Sequence, residues 1–358
     1  ALHAKYLAER DRRINRNHND QYIPASGKWK DIYEVDPYTE VAPRDRALDE
    51  AIRVRAERAV TSILGSHRAL FEITPGPGKP TALGHEGAGE VMLVGADVAG
   101  IAVGDAVIVN PMNTPGFIGS GGPEGAFTEE LLVREARLGD SILPIPEGIP
   151  YDVAAMCEPL AVALHGVNRA QAKAGEKIAI FGCGPIGLGM VMWALDRGCV
   201  DVIALDLSEE RLERARALGA ITVNPGTEDV VARIKQIHGS HVYFGRERAN
   251  TDAYIDAAGA PMILAQVVSM AKRHARHVIT AAYMKPIELP AGAMLTSEMT
   301  ITTAVGYPDE FPEVIAAMPR LRDTIASLIS HRLPFAQVIE GLGIAATPQS
   351  AKVMIEFD

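Results

Sequence analysis

The sequence predicts an α/β protein in two parts, a β-rich unit followed by a parallel sheet with helices between its strands. Short β-rich runs broken by Gly and Pro fill residues 28–150. Strand-like and helix-like segments then alternate from residue 151 to 294, and a glycine-rich turn joins the first of those strands to its helix. With 358 residues, 47% of them hydrophobic, the chain has enough apolar surface for two domain cores.

Residues 1–27, ALHAKYLAERDRRINRNHNDQYIPASG, begin with a short helical pattern and turn polar, which reads as an N-terminal extension forming a surface arm. A contact to another subunit would have only Tyr6 and Leu7 to carry it. From Lys28 the runs AIRVRAERAV, AGEVMLVG and GDAVIVN predict strands of a compact β unit. At Tyr151 the helical segment DVAAMCEPLAVALHGVNRA opens the second part. KIAIFG, DVIALD, ITVN, AYIDAAG and HVITAA then read as strands, with GLGMVMWALDRG, SEERLERARALG, EDVVARIKQIHG and PMILAQVVSMAKR as the helices between them. Residues 295–358 return through a strand (MTITTAVG), two helices and a terminal strand (AKVMIEFD) to complete the first domain.

Composition narrows the partners. A net charge of -10 with no basic stripe repels a phosphate backbone, so nucleic acid is excluded in favour of a small molecule. No apolar run approaches the roughly 20 residues of a spanning helix, which argues against a membrane. Cys157, Cys183 and Cys199 form neither a disulfide framework nor a CxxC pair, and the N-terminus is charged throughout, so a cytoplasmic protein is expected.

The strongest local signal is AIFGCGPIGLG, in which Gly182, Gly184 and Gly187 make GxGxxG between an apolar strand and a helix. Gly182 permits the tight turn, Gly184 lets a pyrophosphate approach the backbone, and Gly187 lets helix and strand pack closely; Pro185 and Ile186 complete the loop at the helix N-terminus, where free N–H groups face the phosphate. The next strand ends at Asp206, 24 residues beyond Gly182, where a carboxylate can accept from the adenosine ribose hydroxyls. A 2′-phosphate there meets like charge, so NAD is favoured over NADP. Asp206 as a cap of the following helix is the plainer reading, and Arg211, one turn beyond Leu207, weighs against the NAD preference. The turn Ala257, Ala258 and Gly259 ends a sheet strand on the side where ligands collect and is placed along the cofactor cleft.

With these motifs in place the chain resembles the zinc-type medium-chain dehydrogenase/reductase family, nearest its polyol and sugar dehydrogenase branch, over residues 28–358. The resemblance rests on LGHEGAGEVMLVGADV (83–98), VGDAVIVNP (103–111), CEPLAVALHGV (157–167) and the glycine loop taken together. It implies a GroES-like β-rich catalytic domain (28–150, completed by 295–358) around a Rossmann NAD-binding domain (151–294). It also implies hydride transfer between a secondary alcohol and its ketone in the cleft, and a homodimer or homotetramer. By the same resemblance His85 is a zinc ligand, Glu86 lies beside the metal and Glu158 is near or in its coordination sphere.

The chain departs from that pattern at the first ligand. Where relatives have cysteine in a stretch like CGSDxH, this sequence reads Leu64-Gly65-Ser66-His67-Arg68-Ala69, and leucine cannot coordinate a metal. Three readings follow: NAD-linked chemistry without zinc, with Ser66, at the family's proton-relay position, and His67 as acid/base candidates; a zinc kept by His67 or Cys157 as substitute ligand; or a nucleotide-binding protein without catalysis. A fourth use of the fold is an internal redox cycle on tightly held NAD. Without metal, His85 reads as a buried histidine satisfied by Glu86 or backbone, and Glu158 as a carboxylate at a helix N-terminus. The span that holds the family's four-cysteine structural zinc, NPMNTPGFIGSGGPEGAFTEE, contains no cysteine, so structural zinc is excluded; its Thr114 to Gly125 segment reads as a mobile loop near the cleft or a plain surface excursion.

Overall fold

Chain order follows the alternation read from the sequence, with one helix split in two and with a hairpin, a helix before residue 300 and a strand after residue 328 added. The computed structural model describes residues 52–63, 82–119, 123–283 and 286–357, all within the unit Asp49–Asp358. The expected N-terminal extension, Ser66 and His67 lie outside the described residues.

Strands β1 (Ile52–Ile63), β2 (Gly87–Val94), β3 (Ala106–Val109), β4 (Glu130–Val133) and β5 (Ile142–Pro144) open the β-rich part. Their inward side chains, among them Val54, Val91, Val107, Leu131 and Ile142, form one apolar core. The expected single helix after residue 150 is two, α1 (Tyr151–Ala155) and α2 (Cys157–Arg169), broken at Met156. Pro159 explains the break: in a continuous helix it could not donate to Ala155 and its ring would crowd that carbonyl, whereas the first turn of a new helix accepts it.

The half with alternating strands and helices follows as β6 (Lys177–Phe181), α3 (Pro185–Asp196), β7 (Val200–Leu205), α4 (Glu209–Leu218), β8 (Ile221–Val223) and α5 (Val230–His238). Ser208 caps α4 by accepting from the Arg211 N–H, Asp229 caps α5 by accepting from the Ala232 N–H, and Gly219 ends α4 in the left-handed region at φ 107°. An unexpected hairpin, β9 (Ser240–Tyr243) and β10 (Arg246–Ala249), comes next. Its turn residues Phe244 and Gly245 both have positive φ, the geometry that joins two strands through two residues. Then come β11 (Ala253–Asp256), α6 (Met262–Met270), β12 (Arg276–Ile279), α7 (Ala291–Ser297), β13 (Thr300–Thr303), α8 (Phe311–Leu328), β14 (Ile329–Pro334), α9 (Val338–Ala345) and β15 (Lys352–Glu356).

The parallel sheet runs β13-β12-β11-β6-β7-β8, and the β-rich sheet β14-β15-β1-β2-β3-β5 with β4 also on β1. Strand β13 corrects the expected boundary at residue 294. It pairs parallel with β12 from Thr300 opposite Arg276 to Thr303 opposite Ile279, because a β-branched run reached through a helix extends the open edge of a parallel sheet. Only β14 and β15 complete the other sheet. Among the described residues no helix is long and apolar enough to cross a membrane.

Candidate active site

The glycine loop sits at the C-terminal end of β6, and its three glycines differ in what constrains them. Gly182 has φ 96°, a conformation L side chains avoid, and a Cβ there would lie 3.0 Å from the Ala257 carbonyl carbon and the Ala258 nitrogen. At Gly187 a Cβ would fall 1.8 Å from the Gly182 oxygen, so this glycine is demanded by packing. Gly184 has ordinary extended geometry (φ -68°, ψ -177°), and a Cβ built on it meets nothing within 4 Å. Its surroundings are open because it faces a cavity of about 670 Å³, to which Pro185 and Ile186 also contribute at the N-terminus of α3. A pyrophosphate fits this cradle: open space over Gly184 and a helix N-terminus behind it.

Asp206, at the end of β7, ties this loop to the next. Its Oδ2 accepts the Cys183 N–H at 2.7 Å and its Oδ1 accepts the Ser208 N–H at 2.8 Å, while the cap of α4 is Ser208 rather than Asp206. Arg211 lines the cavity, but its guanidinium donates to the carbonyls of Ser350 (3.1 Å) and Thr347 (3.3 Å), which anchors the segment before β15 to the dinucleotide half. Leu207 is 72% exposed and lies away from the cavity. Ala257 and Ala258 line the cavity, and the wholly buried Asp256 organises their turn by accepting from the Ala258 (2.9 Å) and Gly259 (2.8 Å) N–H groups and from the Tyr283 hydroxyl.

The same cavity is also lined by His85, Glu158 and Tyr307 and by Met112, Phe117 and Ile118. Residues 83–84 are held by two hydrogen bonds, from the Ala126 N–H to the Gly84 carbonyl and from the Phe127 N–H to the Leu83 carbonyl. Gly119 packs so closely that a Cβ there would lie 2.0 Å from the Gly84 oxygen. The described parts of the Thr114 to Gly125 segment are therefore seated against the site, with Ile118 buried, rather than forming a free excursion.

His85 Nε2 and Glu158 Oε1 face each other at 3.8 Å, and the donor atoms of His85, Glu86 and Glu158 all lie within 4.8 Å of one another. Glu86 and Lys352 are both fully buried, with Nζ 2.5 Å from Oε2. Glu158 Oε2 is buried without a hydrogen-bond partner. Burial, then Lys352, lower the His85 imidazole to about 4. Burial first and Glu86 second raise Glu158 well above the carboxylate range. Burial and then Glu158 raise both the Tyr307 phenol and the Cys157 thiol. The centre is thus a close Lys352–Glu86 contact flanked by an imidazole and a carboxyl that burial drives toward their uncharged forms, and by a phenol. The Cys157 sulfur approaches the Phe311 carbonyl (4.0 Å) and does not join the donor cluster.

Sequence reasoning had placed His85, Glu86 and Glu158 together, and the structure brings them together. It missed Lys352, read only as part of a terminal strand; the stretch VGYPDEF (residues 305–311) was expected along the pocket with no residue in it chosen, and Val305, Gly306 and Tyr307 line the cavity. An isolated lysine in the apolar run AKVMIEFD was the available signal, since a cation inside a buried strand requires a partner.

Residues 52–147 match the alcohol dehydrogenase GroES-like domain, and residues 185–320 match the zinc-binding dehydrogenase family. The chain is 33% identical to the (R,R)-butanediol dehydrogenase of Bacillus subtilis (strain 168), over 77% of this chain and 81% of that protein. It is 27% identical to the sorbitol dehydrogenase of Bombyx mori, over 77% and 82% of the two chains. The crystal structure of 2R,3R-butanediol dehydrogenase from Bacillus subtilis superposes with a TM-score of 0.75 at 29% identity, covering 89% of this chain and 95% of that one. A shared two-domain fold, the glycine loop and this extent of sequence identity make the chain a member of the zinc-type medium-chain dehydrogenase/reductase family of alcohol dehydrogenase-like oxidoreductases.

Proposed function

We propose that this protein interconverts a secondary alcohol bearing further oxygens and its ketone, with NAD as cofactor and without a catalytic zinc. The observation that carries the reading is a single cavity lined both by the glycine loop at the N-terminus of α3 and by His85, Glu158 and Tyr307. NAD, when bound, supplies the hydride acceptor. Asp206, which holds the Cys183 and Ser208 N–H groups at the end of β7, is assigned the ribose hydroxyls through its remaining lone pairs, and the open space over Gly184 is assigned to the pyrophosphate. Met112, Phe117 and Ile118 shield the reacting carbon from water. The substrate hydroxyl gives its proton to the His85–Glu158 pair, and in the reverse direction the pair returns it.

The donors here do not suit the zinc of relatives. A catalytic zinc takes three protein ligands, with thiolate and imidazole preferred. The sequence puts Leu64 at the thiolate position, Glu86 is already in contact with the Lys352 ammonium, and what remains is one imidazole and a carboxyl that burial holds protonated. The mutual proximity of His85, Glu86 and Glu158 favours a second reading, a weakly held divalent cation.

Purified protein assayed on butane-2,3-diol and on hexitols decides between these. The expected result is NAD-linked turnover that survives chelation, with negligible metal by elemental analysis. Chelator-sensitive turnover with near-stoichiometric zinc would refute the zinc-free part. Asp206→Ala removes a charge-assisted hydrogen bond worth about 1.5–3 kcal/mol, so the KM for NAD should rise roughly 10- to 100-fold and the NAD/NADP ratio should narrow. An unchanged ratio would remove that residue's assignment.

A further inference from the structure

After β13 the chain runs along the cavity wall through Ala304, Val305 and Gly306 to Tyr307. The Tyr307 side chain is 4% exposed, and its ring packs on Phe311 with centroids 4.8 Å apart. Its buried hydroxyl lies beside the Glu158 carboxyl, close enough to interact with it, but the contact falls short of full hydrogen-bond geometry. Leaving a buried hydroxyl in that state costs about 1–3 kcal/mol, and a phenylalanine would fill the same space without the penalty. Its neighbour Glu158 Oε2 is likewise buried and unpartnered, and both residues border the same cavity. A donor held at this cost in a residue that borders the same cavity as His85 and Glu158 points to a ligand oxygen as its partner.

We propose that Tyr307 is a catalytic residue whose hydroxyl donates a hydrogen bond to the substrate oxygen as negative charge develops on it, the task a Lewis-acidic metal performs elsewhere. The inference rests on the dehydrogenase reading above. In ketone reduction the carbonyl carbon gains a hydride from the reduced cofactor, the π pair moves onto oxygen, and the proton comes from the His85–Glu158 pair. Tyr307 keeps its own proton throughout, so it needs no change of charge to act. A donor of this kind is effective because the ring, fixed against Phe311, is already oriented before the charge appears.

Tyr307→Phe deletes only the oxygen. Loss of one preorganised donor at a developing oxyanion lowers turnover roughly 10²- to 10³-fold. The expected result is a fall of that order in kcat, with an increased primary isotope effect for the carbinol-deuterated alcohol as hydride transfer becomes slower than product release. NADH binding should stay within about twofold, and 3-hydroxybutan-2-one should bind the enzyme–NADH complex several-fold more weakly by calorimetry, as loss of one hydrogen bond predicts. A residue that merely supports packing would change thermal stability and KM without raising the isotope effect. If wild type turns over and the variant keeps its kcat, the inference is overturned while the dehydrogenase reading stands. If wild type turns over no alcohol or ketone, that reading falls, and equal calorimetric binding of the hydroxyketone by both proteins overturns the role of Tyr307 as well.

Discussion

Lys352→Met tests the electrostatic core of the site. Lys352 lies at the start of β15, and its ammonium touches the Glu86 carboxylate at 2.5 Å with both side chains shielded from solvent. Removing the ammonium leaves a buried carboxylate with no cation against it and Glu158 close by. Breaking one side of a buried ion pair costs about 3–5 kcal/mol, whereas replacing both partners by neutral groups of similar shape is often close to neutral. Glu86→Gln alone should cost a comparable amount by stranding the ammonium. The double variant Lys352→Met/Glu86→Gln should lose at least about 2 kcal/mol less than the sum of the two single losses, because neither charge remains. Urea denaturation followed by tryptophan fluorescence, with the four proteins compared at constant slope, measures the cycle. Single-variant losses below about 1 kcal/mol, or additive losses in the double variant, would refute the view that this pair is a tightly coupled buried interaction.

Two further predictions follow from local geometry. Gly184→Ala should leave the unfolding midpoint unchanged, since its Cβ meets nothing within 4 Å, yet weaken NADH binding by intruding on the phosphate cradle; Gly187→Ala, whose Cβ would fall 1.8 Å from the Gly182 oxygen, should lower the midpoint as well. Fluorescence titration of NADH beside thermal unfolding separates the two effects, and equal NADH affinity in Gly184→Ala would remove the phosphate from that position. His277, in β12 between Tyr254 and Ile301, is fully buried with neither ring nitrogen hydrogen-bonded, and burial lowers it to about 4. Below its unfolded pKa of about 6.5 the unfolded chain binds a proton that the folded chain refuses, so stability contributed by the neutral imidazole is lost as pH falls from 6.5 toward 4. Relative to His277→Leu, wild type should lose about 2–3 kcal/mol more between pH 7.5 and 4.5, and parallel pH profiles for the two proteins would contradict the lowered value.

The parts of the fold that were legible are those that sequence encodes locally. The glycine loop was readable because its steric demands act within a few residues, as the 1.8 Å approach at Gly187 shows. The strands of the parallel sheet were readable because their centres are buried on both faces and so form continuous apolar runs, such as residues 178–181 and 202–205. The β9–β10 hairpin was not, since Ser240, His241 and Val242 are all exposed and no alternation marks a buried face. Its only local signal is Phe244-Gly245, a weaker turn pair than Asn-Gly. The placement of β13 was missed for a different reason: a strand's sheet is chosen by the partner edge it reaches, which its own four residues do not specify.

The same distinction governs the site. His85, Glu86 and Glu158 could be placed by motif, but the charge each carries depends on Lys352, which arrives from the end of the chain. Once the Lys352 ammonium meets the Glu86 carboxylate, the two remaining polar groups facing each other, His85 and Glu158, are most stable uncharged, and burial drives each the corresponding way. A divalent cation entering this centre would have to displace a proton from Glu158 and share Glu86 with a fixed ammonium, with no thiolate supplied at position 64. A hydroxyl group entering it meets a neutral acceptor, a neutral acid and an unpartnered phenol in one cavity. The loss of one cysteine therefore does not leave an empty version of the relatives' centre: the Lys352 ammonium and the Glu86 carboxylate answer each other, and the groups that border the cavity beside them, His85, Glu158 and Tyr307, are the ones proposed to carry proton exchange and hydrogen-bond donation.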